Sequence, residues 1–89
     1  MVVIVLDLAP EKLRGMLTRW MMETKPGVFV GKLNSMVRDK VWQMIQDFSI
    51  KGALMIYAAP NEQGFQIAMH GEPQRSVVDL DGLQFIKIR

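Results

Sequence analysis

The spacing of apolar positions changes several times along the chain, and each change marks an element. Val2–Leu6 is unbroken and β-branched except at its last residue, which reads as a strand covered on both faces, a short buried helix being the alternative. From Pro10 to Glu23 the apolar residues Leu13, Met16, Leu17, Trp20 and Met21 recur with helical spacing, and Pro10 suits a first turn. Lys25-Pro26-Gly27 is a turn, and Val28–Leu33 a second strand with a bulge expected at Gly31. Asn34 or Ser35 caps a second helix carrying Val37, Val41, Met44, Ile45 and Phe48 and ending near Ile50. Trp42, about 100° around from Val41, flanks the core of that helix. Ala53–Ala59 and Gly64–His70 form a hairpin, Glu72–Val77 a polar loop, and Leu83–Ile88 a last strand whose two apolar faces call for cover from outside. This order predicts an α+β, ferredoxin-like sandwich: two helices on one face of a mainly antiparallel sheet, with an extra C-terminal strand.

Composition narrows the picture. At 89 residues the chain is one domain with a modest core, so a dimer or a larger partner is expected. A hydrophobic share of 49%, eight of the residues being Met, argues against disorder and for an adaptable interior or interface. The lack of Cys excludes disulfides and thiolate metal sites, and no apolar run approaches the ~20 residues that span a bilayer. A soluble, cytoplasmic protein without membrane attachment is the expectation. The net charge is only +2, but Lys12, Arg14, Arg19, Lys25, Lys32, Arg38, Lys40 and Lys51 face five acids within the first 51 residues. Such asymmetry marks either a basic face or ordinary solvated lysines.

Asp7, ending the first strand, is the candidate catalytic and metal-binding residue. Mg²⁺ or Mn²⁺ commonly takes one or two carboxylates, and a two-fold dimer brings two copies of Asp7 to one axis. The plain alternative is an acid favoured by the nearby helix dipole. Gly15 costs a helix ~1 kcal/mol relative to Ala, so either another backbone packs there or a ligand approaches. His70 is the sole histidine and supports neither a triad nor a zinc site. Asp79 and Asp81 read as turn residues before Gly82. Lys12, Arg14, Arg38 and Arg75 are the phosphate-binding candidates, suited to duplex shape and charge rather than to base reading.

Several blocks together resemble a known family. Asp7 closing the first strand, PEKLRGML at 10–17, PGVFVGKLNSMVRDKVW at 26–42 and GEPQRSVVDLDGL at 71–83 are similar, in register, to the small CRISPR-associated proteins called Cas two, nearest to the type I-E branch. The resemblance implies a ferredoxin-like homodimer that serves antiviral defence by bridging two dimers of the Cas one integrase during spacer acquisition, with protospacer duplex DNA lying across it. By position it implies backbone contacts from Lys12, Arg14, Arg38 and Arg75. Glu11, Met16, Met36 and Gln74 stand where a I-E relative carries Pro, Arg, Lys and Arg, and three missing charges weaken the salt dependence by roughly one counterion each. Residues 1–77 then form the core, and 78–89 the partner-binding tail of the same domain, with Val78, Asp79, Leu80, Asp81, Leu83 and Phe85 adding a strand to the integrase. The resemblance makes this subunit a scaffold whose partner does the chemistry. The alternative it carries is a metal-dependent endonuclease cleaving RNA or double-stranded DNA, with Asp7 holding Mg²⁺ or Mn²⁺ across the dimer.

Overall fold

In the computed structural model the described residues are 1–71, together with the backbone of 75–80 and 83–88. The first strand, β1 (Val2–Asp7), alternates buried and half-buried positions. Its even residues Val2, Ile4 and Leu6 join one core cluster with Leu13 and Leu17 of α1 (Glu11–Leu17) and with Val41 and Ile45 of α2 (Ser35–Asp47). Both helices therefore cover the same face of the sheet. The remaining strands are β2 (Met22–Lys25), β3 (Val28–Gly31), β4 (Gly52–Ala58) and β5 (Phe65–Gly71), and the sheet runs β2-β3-β1-β4-β5. Every pairing in it is antiparallel. Strand β1 lies at the centre, between the two strands that flank α2 in the chain. This is the ferredoxin-like arrangement, with β5 added beside β4.

The first helix is shorter than its apolar spacing predicts. It ends at Leu17, and Met22–Lys25, half of which the periodicity assigns to helix, is an edge strand. Thr18 turns its hydroxyl back onto the Gly15 carbonyl at 2.6 Å, a local bond that competes with the helix ladder. The amides of Arg19 and Trp20 then bond three residues back, to Met16 and Leu17, in a tightening turn. Such a turn keeps nearly helical side-chain spacing, so Met21 still reaches the core at 5% exposure while Trp20 stays 43% exposed. Pro26-Gly27 closes a β2–β3 hairpin instead of ending a helix, with Gly27 at φ +81.

Other boundaries shift by smaller amounts. Asn34 caps α2 by accepting the Val37 amide at 2.8 Å, and α2 stops at Asp47. Trp42 packs half-buried against the core, as its position predicts. The irregularity expected at Gly31 lies instead in β2, where the register slips between Glu23 and Lys25. Gly31 is there for proximity: a Cβ would lie 3.0 Å from the Trp20 carbonyl oxygen. The last residues of the segment read as a polar loop, from Arg75 to Val77, begin a strand, β6 (Arg75–Leu80), which pairs with β7 (Leu83–Ile88) in a separate two-stranded sheet.

The odd-numbered side of β1 looks away from the helices, and there the strands align into apolar rows. One row crosses all five strands of the main sheet as Met22, Val30, Val3, Ile56 and Ile67. The next runs Val28, Val5, Leu54 and Met69. Leu54 and Ile67 are buried without belonging to the helix-side cluster, whereas Met22 and Met69 are exposed. No helix among the described residues is long and apolar enough to cross a membrane.

Candidate nucleic-acid interface

The corner between β1 and α1 carries the two basic candidates nearest in sequence. Lys12 is exposed on the first turn of α1. Arg14 is two residues on, half-buried, because the stripe of Leu13 and Leu17 rolls that side of the helix toward β2. Its Nε–H donates to Oε2 of Glu23 at 2.9 Å. The same oxygen accepts the Gly27 amide, also at 2.9 Å. Glu23 pairs with Phe29 across β2 and β3, on the sheet face that the helices cover, which aims its side chain at α1. The Arg14 hydrogen bond, followed by the Gly27 amide, holds the Glu23 carboxyl below its ordinary pKa, and Glu23 raises that of Arg14. The pair faces solvent, so it orients side chains more than it stabilises the fold.

Arg14 forms a wall common to two shallow clefts. One, of about 310 Å³, is lined by Glu11, Arg14, Gly15, Thr18 and Glu23. The other, of about 320 Å³, is lined by Leu6, Leu8, Ala9, Arg14, Pro26 and Gly27. Of the two explanations open for Gly15, close packing is the one the structure removes: a Cβ there would meet nothing within 4 Å.

Arg38 is not part of this corner. It lies on the first turn of α2, with its guanidinium carbon 4.0 Å from the centre of the Tyr57 ring and Nη2 3.3 Å from Asp39. Tyr57 pairs with Val2, while Gly27 bonds to the Leu6 amide. Arg14, tied through Glu23 to Gly27, thus lies toward the Leu6 end of β1, and Arg38, on Tyr57, toward the Val2 end. The two form the ends of a basic track rather than one cluster, and the Tyr57 ring holds the second end in place.

Asp7 is half-buried at the end of β1, paired with Gly52, and leads into Leu8, which takes φ +55 and is 84% exposed. No group of three or more His, Cys, Asp or Glu side chains among the described residues is arranged to hold a metal. One chain brings a single strand-end carboxylate, which does not by itself fit a Mg²⁺ or Mn²⁺ site. His70 is half-buried in β5. Arg75, Val78, Asp79 and Leu80 are placed only as positions of β6, and Leu83 and Phe85 only as positions of β7. Their side chains, and Asp81 entirely, lie outside the described residues.

Glu23, Gly27 and Tyr57 are the site residues that sequence reasoning misses. The signal for the first two was present in Pro26-Gly27: a turn following Met-Glu-Thr-Lys also reads as an edge hairpin, which would have brought Glu23 back toward α1. Tyr57 carries no local signal, since its partner lies on another element. Residues 1–85 match the family model described as CRISPR-associated protein (Cas_Cas2CT1978).

Proposed function

The chain belongs to this CRISPR-associated Cas two family, and from that premise we propose that it is a homodimeric, DNA-binding scaffold of the spacer-acquisition complex. In this reading the dimer bridges Cas one integrase dimers in the cytoplasm and holds protospacer duplex DNA. The observation that carries it is the basic track: Lys12 and Arg14 at one end of the helical layer, Arg38 at the other. Cations on two helices at opposite ends of one layer suit a phosphate backbone, which offers charges at regular intervals and asks for no base reading. Homodimerisation is supported by the helix-free face of the main sheet. On it Met22 and Met69 are exposed and Val3, Val5, Val28, Val30 and Ile56 half-buried, an apolar surface that a second copy of the same sheet complements. The tail 78–89 supplies the integrase contact by strand addition.

The test is spacer acquisition in cells, read beside complex assembly in vitro. The Lys12→Ala/Arg14→Ala protein should fold, assemble with the integrase and fail to support acquisition. Deleting residues 78–89 should abolish co-purification with the integrase and leave the dimer intact. Normal acquisition by the double variant, or normal co-purification of the truncated chain, refutes the corresponding part.

A second reading rests on Asp7. Its placement at the end of β1, next to a strained and exposed Leu8, suits a metal-dependent endonuclease only if a partner chain adds a second carboxylate. Asp7→Ala that abolishes Mg²⁺- or Mn²⁺-dependent cleavage while sparing acquisition would support it. Cleavage surviving in Asp7→Ala would remove it.

A further inference from the structure

Arginine side chains on protein surfaces are mobile, and immobilising one on a ligand costs conformational entropy. Arg14 already has a partner that restrains it. The Glu23 carboxylate takes its Nε–H at 2.9 Å, and Glu23 is itself fixed from a second side by the Gly27 amide at 2.9 Å. That amide cannot easily move, because Gly27 is set at φ +81 and its carbonyl accepts the Leu6 amide at 2.8 Å. A chain of three bonds therefore runs from the end of β1, through the hairpin turn and Glu23, to the guanidinium on α1. The bond to Glu23 commits Nε and one side of the fork. The terminal edge, where each of the two amino groups turns one N–H outward, is left to donate to a phosphodiester oxygen pair.

We propose that Glu23 is the positioning residue for Arg14: it presents the terminal amino edge of that guanidinium to the phosphate backbone of bound duplex DNA. This rests on the reading of Arg14 as a DNA contact. It also gives a reason for placing an acid beside a DNA-binding cation, where charge alone works against affinity. A purely electrostatic role and a positioning role make opposite statements about two neutral replacements. Glu23→Gln and Glu23→Met remove the same charge, but only Gln keeps an oxygen able to accept from Nε and from the Gly27 amide.

Duplex affinity is measured by fluorescence anisotropy at fixed salt for the wild type, both variants, Arg14→Ala and the two double variants. Positioning requires that Gln bind at least as tightly as Glu and that Met bind two- to tenfold more weakly than Gln, about the cost of ordering one rotamer-rich side chain. It also requires that this difference vanish when Arg14 is Ala. Equal affinities for Gln and Met overturn the proposal, as does a difference that persists without Arg14. Should Arg14→Ala bind like the wild type, the reading of Arg14 itself fails, and that outcome is separate from the other two. If Glu23→Met does not fold, the wild type still decides the matter. The Arg14 Nε–H nuclear magnetic resonance signal stays hydrogen-bonded and protected on adding duplex if Glu23 positions the side chain. It loses that protection if DNA has to displace Glu23, which overturns the proposal.

Discussion

Replacing Gly27 with alanine puts a methyl group where the β2–β3 turn has no room for it. The residue sits at φ +81, and a Cβ would lie 2.7 Å from the carbonyl oxygen of Leu6. That oxygen belongs to backbone in the centre of the sheet, beside a Leu6 side chain only 5% exposed, so it cannot swing aside. An L-residue in the left-handed region costs about 1–2 kcal/mol. Forcing an extra carbon against packed atoms costs roughly 1–3 kcal/mol more. The sum, roughly 2–5 kcal/mol, is a large part of the ~4–13 kcal/mol expected for a domain of this length. Urea unfolding followed by the fluorescence of Trp20 and Trp42 should show it. With a slope of about 2 kcal/mol per molar, the midpoint should fall by roughly 1–2.5 M. Protein concentration must be held constant, because a dimer is stabilised by its own association. A midpoint within about 0.3 M of the wild type would refute the hairpin geometry and with it the anchoring of Glu23.

The neighbouring glycine should behave in the opposite way. Gly15→Ala meets nothing within 4 Å and should raise stability by about 1 kcal/mol, or roughly 4–8 °C in melting temperature, and a lower melting temperature would mean that a partner chain occupies that space. The Glu23–Arg14 pair sets an acid limb. Because the folded pKa of Glu23 lies below its ordinary 4.5, its contribution is complete above that value and is lost as pH falls through the folded one. Melting temperatures from pH 7 to pH 3 should therefore fall less steeply for Glu23→Gln than for the wild type, and parallel curves would contradict the pair. On the helix-free face, Met69→Glu places a charge on a residue 44% exposed and should leave the fold intact while shifting sedimentation from dimer toward monomer. An unchanged dimer would move the interface elsewhere.

The parts of the fold legible in the sequence are those where one element reports on itself. Val2–Leu6 has no polar interruption, and α2 carries both an apolar stripe and a capping Asn34, so β1 and α2 stand where the pattern puts them. The end of α1 was hidden because the turn at Thr18–Trp20 preserves helical spacing and delivers Met21 to the core all the same. Strand β2 is mostly polar and gains its identity from pairing with β3, a tertiary fact with a faint local trace. The site divides along the same line. Lys12 and Arg14 are visible as cations on a strand–helix corner. The restraint of Arg14 by Glu23, and the packing of Arg38 on Tyr57, depend on contacts between residues nine and nineteen positions apart, which no local pattern encodes.

The central claim is that fixed cations on α1 and α2 hold a duplex through its phosphates. The most direct test is the salt dependence of duplex binding by the wild type and by Lys12→Ala/Arg14→Ala/Arg38→Ala, measured by anisotropy over a range of salt concentrations. If the account is right, the wild type binds with a steep slope of log affinity against log salt. The triple variant loses about 0.9 from that slope for each phosphate contact removed, with little change in preference among duplex sequences. An unchanged slope in the triple variant, or wild-type binding insensitive to salt, would contradict it.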